Sequence, residues 1–120
     1  MTYSNFHPAV RSWFSGAFNS ATAVQTAAWS AIDSDQNVLI AAPTGSGKTL
    51  AAFLCAINEL VVKGQQQPLA DGVQILYISP LKALSNDIER NLRQPLEGID
   101  TWLSKNEGRA SGICTMVRTG

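Results

Sequence analysis

The chain has 120 residues, 45% of them hydrophobic and 15% charged, with nine basic and nine acidic side chains that cancel. Such a composition fits one small folded domain and excludes a disordered tail; a net charge of zero supplies no summed field that would by itself draw nucleic acid or a membrane. No stretch is apolar for long enough to span a bilayer and the polar N-terminus lacks a secretory pattern, so a cytoplasmic location is expected. The two cysteines, Cys55 and Cys114, have no Cys or His neighbours at metal-ligand spacing and read as buried, reduced thiols.

In chain order, His7-Pro8 predicts the start of a short helix that carries Val10, Trp13 and Phe14 and closes at Gly16. Thr22, with Gln25 three residues on, forms a capping box for a second helix, whose Val24, Ala28, Trp29 and Ile32 supply an apolar face. Gln25 therefore has a use in the start of its own helix. Its amide, with a donor and an acceptor, also matches the N6 and N7 edge of adenine, so a second use stays open. Asp33 to Gln36 turn the chain into Asn37-Val38-Leu39-Ile40-Ala41-Ala42, an apolar run of the kind a parallel strand buried on both faces shows.

Ala42-Pro43-Thr44-Gly45-Ser46-Gly47-Lys48-Thr49 follows, and it reads as a phosphate-binding loop between that strand and a helix. Gly45 and Gly47 can take backbone angles that side-chain-bearing residues avoid, so successive N–H groups can turn inward around a phosphate. The helix starting near Gly47 adds its unpaired N–H groups and the positive end of its dipole. Lys48 can reach the β- and γ-phosphates of a nucleotide, and the Thr49 hydroxyl is placed to ligate a bridging Mg²⁺. The usual motif opens with Gly where this chain has Ala42, which is still small enough for a tight strand exit.

Beyond the loop, Leu50, Phe53, Leu54, Ile57 and Val61 recur at helical spacing, with Gly64 placed to end the helix. Residues 65–72 are polar and punctuated by Pro and Gly, as in a solvated loop. Val73 to Ile78 predict a second strand. After Ser79-Pro80, Leu81, Leu84, Ile88 and Leu92 begin a second long helix, interrupted or bent at Pro95, and Leu96, Ile99, Trp102 and Leu103 carry it to a break near Asn106-Glu107-Gly108. Ile113 to Val117 predict a third strand. Strands alternating with helices imply an α/β fold, a parallel sheet with helices on both faces, and ligands beyond the carboxyl ends of the strands. The phosphate loop, Ser79 to Asn86 and Arg118 to Gly120 should then share one rim.

Taken together these residues resemble the amino-terminal part of the first RecA-like domain of a superfamily 2 DEAD/DEAH-box ATP-dependent helicase, and are most similar to the large helicase-related, Lhr-like DNA helicases. Residues 42–49 resemble the first motif of that P-loop NTPase family. Ala21-Thr22-Ala23-Val24-Gln25 with Ala28-Trp29 resembles its adenine-reading segment, with Ala21 where the family carries Pro. Tyr77 to Asp87 is similar to a motif that holds a nucleic-acid strand by its phosphates, and Arg118-Thr119-Gly120 looks like the start of another. The resemblance covers essentially the whole chain. It implies ATP and Mg²⁺ as cofactors, with ATP held by Gln25, Thr44, Gly45, Ser46, Gly47, Lys48 and Thr49, and Thr49 also on the metal. For a nucleic-acid partner, DNA rather than RNA, it implies Pro80, Lys82, Asn86, Arg118, Thr119 and Gly120. On spacing alone, Lys82 and Arg118 fit ordinary solvated charges equally well.

Residues 1–36 are thus expected to form an adenine-reading helical region, and 37–120 a βαβαβ core cut off before the acidic motif. Hydrolysis in this class needs an acidic pair on Mg²⁺ and an arginine from a second RecA-like domain, and no residue here ends an apolar strand in that way. The expected product is the ATP- and nucleic-acid-binding part of a helicase that needs the remaining domains to hydrolyse and unwind. The alternatives are a non-catalytic nucleotide-binding or interaction module, or part of a P-loop kinase or small NTPase. Open apolar strand edges would make the isolated chain marginally stable.

Overall fold

The computed structural model describes residues 5–43, 45–79 and 89–118. Helix α1 runs Pro8–Ala17. Its cap is His7, whose Nδ1 accepts the Ala9 N–H at 3.1 Å, and Pro8 takes the first turn, where its missing N–H costs nothing. Helix α2 is Ala23–Asp33 and begins in the capping box read from the sequence. Helix α3, Lys48–Gln66, is the longest and buries Leu50, Ala51, Phe53, Leu54, Cys55, Ile57, Asn58 and Val61. A π-helical turn, Glu89–Arg93, leads into α4, Gln94–Asn106.

Two glycines do not end the helices they were expected to end. Gly16 lies inside α1, and Gly64 lies inside α3, which runs on to Gln66. The reason at Gly64 is close packing: a Cβ there would stand 3.3 Å from the Ser111 carbonyl oxygen and 3.5 Å from Leu69, and Arg109 donates to the Gly64 carbonyl at 3.3 Å. The interruption expected at Pro95 takes the form of the π-helical turn just before it. Pro95 has no N–H to donate and its ring crowds the carbonyl four residues back, so the ladder changes register and the α-helix restarts around it. The helix end at Asn106 falls where Gly108, with φ +79°, turns the chain away. The expected beginning of this helix, at Leu81 to Ile88, lies outside the described residues.

The core is helical. Trp29, Phe14, Leu54, Ile99, Leu103, Val10 and Val61 are almost wholly inaccessible, and burial of each aliphatic side chain stabilises by about 1.5–3 kcal/mol. Helix α1 packs against α4, and α2 against α3. Gly98 of α4 seats Trp13 of α1, since a Cβ at that position would run into the indole ring. Phe6 and Phe14 meet Trp29 edge to face at 5.1 and 5.6 Å, a geometry that suits the ring quadrupoles. The His7 N–H donates to Asn58 Oδ1 at 2.7 Å, tying the entry of α1 to the middle of α3.

The three expected strands are not formed: among the described residues no segment belongs to a β-ladder. Residues 37–42, 73–78 and 113–117 lie as extended or irregular chain, with Leu39, Val73, Leu76, Ile78 and Met116 each more than 70% exposed. The physical reason is that a parallel ladder consists wholly of contacts between distant segments, and no neighbouring strand covers these runs. Their exposure also corrects one thiol: Cys55 is buried as expected, whereas Cys114 is exposed with its segment. Among the described residues no helix is long and apolar enough to cross a membrane.

Candidate functional site

The site is the junction where residues 42–47 enter α3. Gly45 and Gly47 have φ of +87° and +84°, the left-handed region that L side chains avoid, which is the conformation the sequence assigned to them. Gly47 is also the N-cap of α3, and no side chain caps that end, so the helix presents its first N–H groups and dipole toward the loop. A Cβ at Gly47 would collide with the Gln25 amide as well. The Lys48 ammonium folds back onto the Ala42 carbonyl at 2.7 Å, and the Ser46 hydroxyl donates to the Pro43 carbonyl at 2.7 Å, closing the loop on itself. Thr49 is half-buried in the first turn of α3.

Helix α2 holds this loop from the side. The Thr22 hydroxyl accepts the Gln25 N–H at 3.1 Å and donates to the Ser46 carbonyl at 2.9 Å, so one oxygen caps a helix and grips the loop. Gln25, only 3% exposed, accepts the Thr22 N–H at 2.9 Å through Oε1 and donates through Nε2 to the Gly47 carbonyl at 3.3 Å. The capping use read from the sequence is therefore present, joined by a contact to the loop that the sequence did not reveal.

A comparison with protein-family models matches residues 22–112 to the DEAD/DEAH box helicase family, beginning at the Thr22 that caps α2. The chain belongs to the DEAD/DEAH box helicase family. Among curated relatives, a Lhr helicase/probable uracil glycosylase of Mycolicibacterium smegmatis is 49% identical over 115 residues, covering 96% of this chain and 8% of the relative. An ATP-dependent helicase Lhr-Core of Methanothermobacter thermautotrophicus is 48% identical over 118 residues, covering 98% of this chain and 14% of the relative. The solved structure of Mycobacterium smegmatis helicase Lhr bound to ssDNA and AMP-PNP matches with a TM-score of 0.73 at 47% identity, over 92% of this chain and 14% of that one. This member of the family thus spans a small fraction of the length of the helicases it matches, and its likeness to them is the large helicase-related resemblance read from the motifs.

Of the site residues expected from the sequence, Gln25, Gly45, Ser46, Gly47, Lys48 and Thr49 come together at this junction. Thr44, Pro80, Lys82, Asn86, Thr119 and Gly120 lie outside the described residues, and so does most of the shared rim. Arg118 is described and exposed. A groove of about 640 Å³ runs along α3 between Ile32, Asp33, Cys55, Glu59 and Ile75, and none of the described residues of the phosphate loop lines it. Burial pushes the Cys55 thiol up to about 11, which keeps it protonated and inert beside that groove. Sequence reasoning missed Trp29 as a polar partner of the junction: its Nε1 donates to the Ala51 carbonyl at 3.0 Å. The four-residue spacing from Gln25 to Trp29 was the available signal.

Proposed function

We propose that this chain is the nucleotide-binding part of an ATP-dependent DNA helicase, the amino-terminal portion of its first RecA-like domain. Residues 1–36 are the adenine-reading region and 37–120 belong to the βαβαβ core, in which the runs 37–42, 73–78 and 113–117, unpaired in this chain, would pair as a parallel sheet within the whole domain. The observation that carries this reading is the loop itself: two glycines at positive φ feed a helix whose N-terminus has no side-chain cap.

ATP with Mg²⁺ fits these residues. The loop amides surround the phosphates, and Lys48 exchanges the neutral Ala42 carbonyl for a β- or γ-phosphate oxygen, a stronger acceptor because it is charged. Thr49 ligates the metal, whose charge offsets that of the phosphates. Each polar atom of the Gln25 side chain has one partner in place, so Nε2 keeps one N–H and Oε1 one lone pair for the adenine edge once the base uncovers them. Pro80, Lys82, Asn86, Arg118, Thr119 and Gly120 are assigned to the phosphates of a nucleic-acid strand; the ssDNA in the related Lhr structure supports DNA as that strand. Hydrolysis and unwinding belong to the whole helicase.

Titration calorimetry with Mg·ATP and Mg·GTP, on the chain and on Lys48→Ala, tests the reading. Binding that prefers ATP and falls at least tenfold in the variant is expected, since a charge-assisted phosphate contact is worth about 1.5–3 kcal/mol. Equal affinity of both chains would overturn it.

A further inference from the structure

Gln25 and Trp29 stand one helical turn apart on α2, and Gly47 and Ala51 stand one helical turn apart at the start of α3. The two pairs meet in register. Gln25 Nε2 donates to the Gly47 carbonyl at 3.3 Å and Trp29 Nε1 to the Ala51 carbonyl at 3.0 Å, while the Ala51 N–H donates to the Gly47 carbonyl at 3.0 Å and joins the two acceptors. Two rungs therefore connect the helices just behind the phosphate loop.

From this geometry we infer that Trp29 is a positioning residue for nucleotide binding: its indole N–H fixes how far along α2 the first turn of α3 sits, and with it Gly47 and Lys48. The inference rests on the nucleotide-binding reading above and extends it to a residue that touches no nucleotide. Apolar packing alone is tolerant of sliding, whereas a single donor on a rigid ring aims at one carbonyl. The ring is held in turn by T-shaped contacts with Phe6 and Phe14, and Trp29 is wholly buried, so its N–H direction is set by the core. Without that N–H, a buried carbonyl loses a partner at the point where α3 must be held still. Thr22 at Ser46 and Gln25 at Gly47 hold the loop end of the junction, and Trp29 at Ala51 adds a point one turn further into α3.

The decisive experiment is hydrogen exchange by mass spectrometry on the full chain, on Trp29→Phe, and on a chain with benzothienylalanine at position 29, which keeps the fused ring and removes only the N–H. Trp13→Phe, at the α1–α4 contact, is the control. The amides of residues 45–51 are expected to exchange about three- to tenfold faster in the benzothienylalanine chain, the range of one net hydrogen bond, with α1 and α4 unchanged. Mg·ATP affinity should fall by a similar factor at unchanged stoichiometry. Unaltered exchange across 45–51, or equal acceleration in all helices, overturns the positioning role. Should the unsubstituted chain fail to bind Mg·ATP, the nucleotide reading falls, while the exchange comparison still decides whether Trp29 sets the junction.

Discussion

Around Trp29 and around Leu39 two large apolar side chains meet opposite surroundings. Trp29 is 0% exposed, ringed by Phe6 and Phe14 and hydrogen-bonded to Ala51; Leu39, a few residues before the phosphate loop, is 93% exposed. The contrast extends to the whole molecule. Among the described residues every exposed large hydrophobic except Phe18 and Val62 lies in the runs 37–42, 73–78 and 113–117. A helix satisfies its own backbone and needs neighbours only along one stripe, whereas a strand needs another strand for its hydrogen bonds and layers for both faces. The helical part of this protein is consequently settled, and the three extended runs are apolar surfaces still uncovered.

The contrast can be broken most forcefully from the helical side. Leu54→Ala, at a position with 0% exposure in α3, is expected to cost about 3 kcal/mol through lost burial and the cavity left behind, read as a fall in the urea midpoint at constant slope. A smaller effect comes through the cap of α1. Burial lowers the His7 pKa below its ordinary 6.5, opposed by Glu107 and reinforced by Arg11. Between pH 6.5 and that lower value the unfolded chain binds the proton first, so stability is complete above 6.5 and falls as acid is added through the window. His7 is the only histidine, so His7→Asn, which keeps a capping acceptor, should flatten the slope of the denaturation midpoint between pH 7 and 5.5; an unchanged slope would assign it to other groups. The smallest effect sharpens the other half: Leu76→Ser with Met116→Ser should shift the midpoint by less than about 0.5 kcal/mol yet reduce self-association in sedimentation velocity, because both side chains already face solvent.

The helices were legible because their signals are local. Thr22 with Gln25, Pro8 after His7, and the apolar spacing from Leu50 to Val61 each announce a start or a face within a few residues, and so did the glycine loop before Lys48. What escaped depends on distant partners. Gly64 reads as a helix stop until Ser111 and Arg109 are seen against it, and Trp29 reads as plain core until Ala51 is opposite. The runs 37–42, 73–78 and 113–117 carry strand-like sequences without a ladder, since pairing is a property of at least two segments. Cys114 was misplaced for the same reason.

One anchor has a kinetic consequence. The Ser111 N–H donates to Asp100 Oδ1 at 2.8 Å and its hydroxyl accepts the Ile113 N–H at 3.2 Å, while Arg109 reaches back to Gly64. The root of the third apolar run is thereby pinned to α4 and α3. Closing a chain loop becomes costlier only logarithmically with length, but a pinned root removes most of that search in one step. Any pairing of residues 113–117 with another run would therefore start from a fixed end rather than from a free chain.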